Sequence, residues 1–423
     1  MRTEYLPGGR SRQQLVLSLG RADRLDVAAL RRMAADITAG HTDLLTPQLL
    51  AMLPESREYG PVSLLLRALA ALDLPRCWEE ACQQLCIPPR GAGALSALTA
   101  YYLLSYQRGT PFFQWLGQCY VPRAGEVSRE SIGEAALLLA GDGFLHPGMA
   151  SRAHRAMAGE DWGYCYAVPC QYDFLPEDRP ADVLFLLSGE DVPLCRRLWE
   201  STPPGELREL ARRSVILTRD PGLLARHGLG PGSCRFICAA APGDLAGFGD
   251  REGELAAFLR EEGEYLPYRE YGFRERDFGP VRAVILRSSS GTAAALSQWH
   301  REPRELILTN TSLPVERVLE KFLMLDKVID IVYPVYLTED LQFLRQRHTS
   351  EELWELLGNM QLLQLFLCLY LGRKLARCRT TLDDALAALG GIRCVPLSWQ
   401  GGGVLLTTPA DPSQQEMLNA VQP

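Results

Sequence analysis

Apolar residues recur at helical spacing through the N-terminal third of the chain. This spacing predicts amphipathic helices at residues 60–72, 77–85 and 94–106. Another helix is predicted to begin at Ser128, although Ser131 or Ile132 stands where a capping box has Glu. We therefore expect an N-terminal segment over residues 1–45, with one short helix, and an all-helical domain over residues 46–160.

The pattern changes near residue 164 from helical spacing to short apolar runs. These runs predict strands at residues 164–172, 181–189, 192–199, 214–220 and 234–241. Helices are predicted at residues 204–213 and directly after Asp220. Strands interleaved with helices favour an α/β (α+β) fold, with a mixed sheet flanked by helices. Residues 161–240 are assigned to the first part of this core.

The remaining sequence is expected to interrupt and then complete the core. Residues 241–300 are charged and irregular apart from one predicted strand at 281–288, so we interpret them as an insertion. Residues 301–423 are predicted to return to the core with a strand and a long amphipathic helix. A second apolar helix, a further helix and two strands around a glycine turn follow.

Composition narrows the classes of function. The net charge of −7 and the pI of about 5.6 argue against a surface dominated by nucleic-acid binding, although they are compatible with a local basic groove. The twelve cysteines lack disulfide or zinc spacing, so we expect reduced thiols and a cytoplasmic protein. The most apolar stretch, residues 356–372, is too short to span a bilayer. No membrane association is therefore expected.

Asp220 is a candidate site residue because it ends the buried strand SVILTRD, directly before Pro221 and Gly222. Strand ends beside a turn are where α/β sheets expose functional side chains. The alternative is that Asp220 only caps the helix that follows. No nucleophile elbow, Walker motif or dinucleotide fingerprint is present, and no small-molecule substrate is inferred.

The stretch GFRERDFGPVR interleaves basic and aromatic side chains, namely Arg274, Arg276 and Arg282 with Phe273 and Phe278. Such a pattern is compatible with contact to a phosphate backbone. The alternative is an ordinary solvated surface, because two acidic residues lie among the arginines.

Several segments, taken in order, resemble one family. SVILTRDPGL (214–223) is similar to the pattern V-x-x-D-x-G, and ELILTN followed by the helix through residue 334 is similar to L-x-T-N and its signature helix. The tail LDDALAALGGIRC and the helical segment SLLLRALAAL are also similar to parts of that family. The chain resembles, over roughly residues 55–420, the DDE-type transposases of bacterial insertion sequences, in the subgroup with a Tyr-Arg-Glu-Lys signature.

The resemblance implies an RNase H-like catalytic core in which three carboxylates hold two Mg²⁺ ions for phosphoryl transfer. It places the second acid at Asp220. The first acid falls at Ala167, with Asp173 as the nearest acidic substitute. The helix Glu falls at Ile329, with Asp330 and Asp326 as the nearby acids.

The other three signature positions also differ in this chain. The Tyr, the Arg and the Lys of the signature fall at Phe322, at Leu325 and near Tyr336. Aliphatic and aromatic side chains cannot ligate a hard cation or bind a phosphate.

Three hypotheses follow from this pattern. The first is an active DNA transposase or nuclease that uses Asp220, Asp173 and Asp330 with Mg²⁺. The second is a degenerate, catalytically inactive descendant that binds double-stranded DNA or dimerises, with a homodimer as the expected assembly. The third is a protein–protein interaction module that no longer binds DNA.

Overall fold

The structure is a computed structural model of the 423-residue chain. It describes residues 2–5, 11–14, 28, 31, 56–104, 110–140, 163–170, 181–189, 193–198, 202, 204–226, 229, 233–239, 271–278, 281–288, 304–332, 337, 339–399 and 402–422. Among these residues, no helix combines the length and the apolar character that a membrane crossing requires.

Helices and strands are numbered along the chain within the described ranges. The strands are β1 (Arg2–Tyr5), β2 (Ser11–Gln14), β3 (Arg57–Glu58), β4 (Tyr164–Cys170), β5 (Ala181–Leu187), β6 (Pro193–Leu198), β7 (Val215–Thr218), β8 (Arg235–Ala239), β9 (Tyr271–Phe278), β10 (Val281–Ser288), β11 (Arg304–Thr309), β12 (Arg393–Trp399) and β13 (Gly402–Thr407). The helices are α1 (Gly60–Ala71), α2 (Leu74–Gln84), α3 (Arg90–Leu104), α4 (Phe112–Gln118), α5 (Arg129–Ala140), α6 (Pro204–Arg213), α7 (Pro221–Arg226), α8 (Val315–Val332), α9 (Leu344–Arg347), α10 (Ser350–Leu375), α11 (Leu382–Leu389) and α12 (Pro412–Ala420).

The chain divides into two compact units. The first contains residues 1–146, 337–349 and 367–423, and the second contains residues 147–336 and 350–366. Each is described separately below.

The helices of the first unit pack through the apolar positions that the sequence pattern identified. Leu64 and Leu65 of α1 are fully buried, as is Tyr101 of α3. The Tyr101 ring makes edge-on contacts with Phe112 and Trp115, at centroid distances of 5.3 and 5.5 Å. Such contacts add to the stabilisation from area burial. The helices predicted at residues 60–72, 77–85 and 94–106 are confirmed, with boundaries that differ by a few residues.

A small antiparallel sheet joins the C-terminal hairpin to the helical region. In the order β13–β12–β3, Arg393 of β12 pairs with Glu58 of β3. The Arg393 guanidinium also donates to the hydroxyl and the carbonyl of Ser56, both at 2.8 Å. These contacts group the hairpin with the helices, whereas the sequence pattern places it with the α/β core. They also put a strand inside the region predicted to be all-helical.

The second unit is built on an eight-stranded sheet in the order β6–β5–β4–β7–β8–β11–β10–β9. Strands β4, β5 and β6 form an antiparallel meander, and β7 and β8 run parallel to β4 on its other side. Strands β11, β10 and β9 continue the sheet with antiparallel pairing. The predicted mixed α/β fold is therefore confirmed, as are the five strands predicted between residues 164 and 241.

The predicted insertion contributes two strands to this same sheet. Strand β10 is the one predicted at residues 281–288, but β9 lies in sequence expected to be irregular, and that expectation was wrong. Three of its eight residues are aromatic and four are charged. Because β9 ends the strand order and pairs only with β10, it can carry more charge than an interior strand.

Different helices cover the two faces of this sheet. One face carries Cys165, Ile216 and Phe236, which form a core with Leu210 of α6 and Leu223 of α7. Helix α8 packs against β4, β7 and β8. Since successive strand residues alternate between faces, the face opposite that core presents Tyr164, Tyr166, Leu217 and Arg219 to α8.

The first part of α10 contacts strand β6 through an arginine. The Arg196 guanidinium lies over the Trp354 ring, 4.4 Å from its centroid, and donates from both Nη atoms to the Trp354 carbonyl at 3.3 Å. A Cβ atom at Gly358, one turn later on α10, would overlap this guanidinium. The glycine therefore leaves the space in which Arg196 lies.

We predict that Gly358→Ala destabilises the protein by about 1–2 kcal/mol, because steric displacement of Arg196 outweighs the gain in helix propensity. Gly372→Ala on the same helix is the matched control, since no atom lies within 4 Å of its added Cβ. That control should stabilise by about 0.5–1 kcal/mol. Urea unfolding measures both, and in an Arg196→Ala background Gly358→Ala should become stabilising. Equal effects of the two glycine substitutions would contradict the packing argument.

Candidate functional site

The candidate site lies where the parallel strands β4 and β7 end and α8 passes over one face of the sheet. Ala167 of β4 pairs with Thr218 of β7, and Asp220 follows two residues later. The carboxyl ends of adjacent parallel strands are where α/β sheets commonly place functional groups. This is also the region to which the family resemblance points.

Asp220 serves as the N-cap of α7. Its Oδ1 accepts a hydrogen bond from the backbone N–H of Gly222 at 2.8 Å, and its own N–H donates to the Thr218 hydroxyl at 3.1 Å. The residue is exposed at the strand end. Capping by Asp satisfies a helix N–H that has no partner within the helix. The capping alternative for Asp220 therefore describes its observed contacts.

The position expected for the first acid does not face α8. Ala167 is 2% exposed and belongs to the core formed with α6 and α7. The residues of β4 on the α8 side are Tyr166 and Val168, both buried. Asp173, the acidic substitute, lies outside the described residues, as does Tyr336.

On α8, the positions that the family resemblance assigns to the signature are part of the hydrophobic interior. Phe322 and Leu325 are fully buried, and Ile329 is half-buried. Asp330 is exposed, whereas Asp326, one turn earlier, is buried. Asp326 and Asp330 thus lie in different environments, and only Asp326 is on the buried side of the helix.

Asp326 forms a buried ion pair with Arg219, the residue directly before Asp220. The Arg219 Nε donates to Asp326 Oδ1 at 2.8 Å, and Nη2 donates to the same oxygen. The two side chains are only 14% and 12% exposed. The guanidinium also lies over the Phe322 ring, 4.5 Å from its centroid. Arg219 therefore joins strand β7 to α8 by charge and by stacking.

The second carboxylate oxygen of Asp326 accepts neither of the two hydrogen bonds from Arg219. Within the described part of the chain, Oδ2 is buried and accepts no hydrogen bond. Because the negative charge is balanced by Arg219 through Oδ1, Asp326 is an unfavourable metal ligand. A divalent ion there would have to compete with a fixed guanidinium.

A second buried cation lies on the same face of the sheet. Lys321 is 2% exposed, and its Nζ lies 4.6 Å from the Tyr164 ring centroid and 3.3 Å from Glu320 Oε1. Partial burial by itself raises the pKa of Glu320. The hydrogen bond from Arg317 and the charge of Lys321 outweigh that effect, and the pKa lies below its ordinary value. Glu320 is thus held in the ionised form that pairs with both cations.

Nothing in the described residues assembles the ligands of a two-metal centre. No group of three or more His, Cys, Asp or Glu side chains within those residues is arranged to hold a metal ion. Instead, Arg219 and Lys321 bring two positive charges beneath α8. This arrangement suits structural packing of the helix and does not fit Mg²⁺ coordination by carboxylates.

Cys234 and Cys238 do not supply an alternative nucleophile on this sheet. Burial raises the pKa of Cys234 to about 11, and it also raises that of Cys238, with Asp220 adding to the effect. A thiol with a raised pKa is protonated at neutral pH and reacts poorly. These side chains therefore act as small apolar residues of the core.

Sequence reasoning assigned no role to Thr309 and Asn310, which join β11 to β8. The Asn310 side chain accepts from the Phe236 N–H at 2.9 Å and donates to the Cys234 carbonyl at 2.7 Å. The Thr309 hydroxyl donates to the Phe236 carbonyl at 2.8 Å. The amide thus continues the strand pairing beyond the end of β11, which fixes the start of α8. The signal in the sequence was the T-N pair at the end of a buried strand.

Arg282 of β10 reinforces the same connection. Its Nη1 donates to the carbonyls of Thr311 and Leu313, at 3.0 and 2.8 Å. Arg282 is half-buried in this role, so it is not simply a surface charge available to phosphate. The side chains of Arg274, Arg276, Phe273 and Phe278 lie outside the described set.

Comparison with known proteins does not identify a family. No protein-family model matches the sequence, and no curated protein is significantly similar to it. A proposal about function therefore depends on the strand order and the side-chain contacts of the chain itself.

We predict that Arg219→Ala or Asp326→Ala alone costs about 3–5 kcal/mol, because each leaves a buried charge without its partner. The apolar double variant Arg219→Met/Asp326→Leu should lose less stability than either single variant. Urea unfolding at neutral pH measures all three. In a separate double-mutant cycle with Arg219→Ala/Asp326→Ala, losses that simply add would show that the two side chains do not act as a pair.

We predict that Asp220→Ala costs about 1 kcal/mol of stability through loss of the α7 cap, whereas Asp220→Asn changes stability by only a few tenths. Asparagine keeps the oxygen that accepts from the Gly222 N–H but lacks the charge. Thermal unfolding distinguishes the two variants. Equal losses for both would mean that the charge of Asp220, and not its capping oxygen, stabilises the fold.

Proposed function

We propose that the protein is a DDE-type transposase-like protein with an RNase H-like core and an inactive catalytic centre. An RNase H-like sheet is an antiparallel meander of three strands followed by two further strands. These two run parallel to the first strand, and crossover helices connect them. The order β6–β5–β4–β7–β8, with α6 and α7 in the crossovers, supports this assignment. The long helix α8, following a strand that ends in Thr309-Asn310, supports it further.

The buried Arg219–Asp326 pair is the observation that carries the proposal of inactivity. In a DDE centre the space between the second acid's strand and the signature helix holds carboxylates and divalent cations. Here that space holds a guanidinium stacked on Phe322 and bound to Asp326. A fixed organic cation supplies positive charge but no open coordination positions for a reacting phosphate.

An active Mg²⁺ enzyme is the second candidate and requires Asp220, Asp173 and Asp330 to converge. The contacts of Asp220 as a helix cap and the exposure of Asp330 do not favour it. Loss of activity need not cost the fold, since crowded carboxylates repel one another and their removal is compatible with stability. A catalytically inactive protein is therefore physically consistent with this fold.

The first test is calorimetric titration of the purified protein with Mn²⁺, beside Asp220→Asn. We expect no two-site binding in either protein and no cleavage of a supercoiled plasmid with Mn²⁺ or Mg²⁺. Two-site binding that Asp220→Asn abolishes would favour the active enzyme and contradict the proposal. Because Asp220→Asn retains the α7 cap, a difference between the two proteins would report on metal binding and not on folding.

A further inference from the structure

Strand β13 forms one edge of the small sheet in the first unit. The sheet has the order β13–β12–β3, and within the described residues β12 is the only strand that pairs with β13. The backbone N–H and C=O groups on the outer side of an edge strand are a template for pairing with another chain. The outer side of β13 is therefore a surface to which a further strand could add.

The register with β12 identifies which backbone groups of β13 face outward. The Thr408 N–H donates to the Arg393 carbonyl at 2.9 Å, and the same antiparallel register continues along both strands. In such a pair, residues that bond to the partner strand alternate with residues whose N–H and C=O point away from it. Counted back from Thr408, the residues that point away are Gly403, Leu405 and Thr407.

Pro396 of β12 agrees with this alternation. It lies opposite Leu405, and a proline has no backbone N–H to donate. The alternation makes Pro396 and Leu405 a pair without hydrogen bonds between them, so the missing N–H costs no bond to β13. The N–H of Leu405 is therefore directed towards the outer edge.

The composition of β13 leaves its edge without the usual protection. Its sequence, GGVLLT, contains no charged residue and no proline. Every other described strand that ends a sheet carries at least one charged residue, namely β1, β2, β3, β6 and β9. Charged side chains and prolines are the common means by which edge strands avoid pairing with other chains. Their absence from β13 favours an edge that is paired in the working assembly.

Two copies of β13 can pair with each other without a conflict of charge. When a two-fold axis relates antiparallel strands of one sheet, odd-numbered residues face odd-numbered ones and even-numbered residues face even-numbered ones. With the axis at Leu405, this residue lies opposite its own copy. Gly403 then lies opposite Thr407 of the other chain, and Val404 lies opposite Leu406. The outward-facing residues thus meet one another, which allows about six hydrogen bonds between the chains.

The same symmetry would bring like charges together at β9. Arginines and acidic residues alternate along residues 274–277 of that strand. In the central registers of a two-fold pair, arginines would face arginines and acidic residues would face acidic residues. Like charges directly opposite each other in a sheet are destabilising. The charge pattern therefore favours β13 over β9 as a contact between copies.

We propose that β13 is the contact surface of a homodimer, in which the β13 strands of two copies pair antiparallel about a two-fold axis at Leu405. The two small sheets then join into one continuous sheet. A second copy is favoured over an unrelated peptide because one contact satisfies the outer edges of both chains. The pairing is also closed, so it protects the edge from open-ended association. This inference goes beyond the proposed function and does not depend on it.

The first test uses the unaltered protein across a concentration series. Sedimentation velocity should show a reversible dimer with twice the 47.0 kDa mass of the chain. Hydrogen–deuterium exchange, resolved to single amides, then locates the contact. Dimer formation should slow exchange at Leu405 and Thr407, whereas Val404 and Leu406, which bond to β12, should be protected at every concentration. A monomer throughout, or a dimer that leaves exchange in β13 unchanged, would overturn the inference.

The second test places charges at the two-fold axis. Leu405→Lys and Leu405→Glu each put like charges opposite each other, so the dissociation constant of the dimer should rise roughly tenfold or more. An equimolar mixture of the two variants should recover dimers as mixed pairs, which native mass spectrometry identifies. Thr407→Lys is the matched control, because its charge lies opposite Gly403 and about 14 Å along the strand from its own copy. That control should remain dimeric.

Each outcome decides the inference. Weak dimers in both Leu405 variants, with recovery in their mixture, support it. Unchanged dimers, or no recovery although circular dichroism shows both variants folded, overturn it. If the variants unfold, because Leu405 is half-buried, the exchange experiment on the unaltered protein decides alone. A monomer whose β13 amides are slowed only by an added uncharged, extended peptide would assign the edge to another protein and also overturn the inference.

Discussion

The arrangement of the second unit depends on how helix α8 is attached to the sheet. At its start, Thr309 and Asn310 bind the backbone of β8, and Arg282 binds the carbonyls of the connecting segment. In its middle, Arg219 reaches from the end of β7 to Asp326 and Phe322. A buried ion pair alone is weak evidence for stability. Here it acts together with the apolar face of α8, and removing one partner would leave a charge in that interior.

The same attachment combines buried charges with an apolar contact surface. Phe322 and Leu325 contribute fully buried surface between α8 and the sheet. The negative charge of Asp326 is balanced by the guanidinium of Arg219. The buried side chains of this region therefore stabilise the packing of α8 on the sheet.

Much of the fold could be predicted because burial imposes periodic patterns. The strands from β4 to β8 and helix α8 follow apolar runs whose spacing reflects the faces they bury. Strand β9 was missed because an edge strand buries less and carries charge at several positions. The pairing of β12 with β3 joins residues more than three hundred positions apart, and no local pattern encodes it.

The candidate site was harder to predict because its residues act through tertiary contacts. Asp220 was correctly recognised at a strand end, and its capping role was an open alternative. Ala167 was assigned through the family resemblance alone, whereas strand alternation turns its side chain towards α6 and α7. No local sequence pattern marks Arg219 and Asp326 as partners, and only the packing of α8 brings them together across 107 positions.

The residues that the family resemblance singled out make two different kinds of contact. Thr309 and Asn310 satisfy backbone groups of β8, so their loss would leave buried donors and acceptors without partners. On α8, Phe322 and Leu325 are buried apolar side chains that need no polar partner, so they add to packing without binding a backbone group. The polar pair and the apolar residues thus attach α8 to the sheet in different ways, and only the apolar ones follow from the periodicity of the sequence.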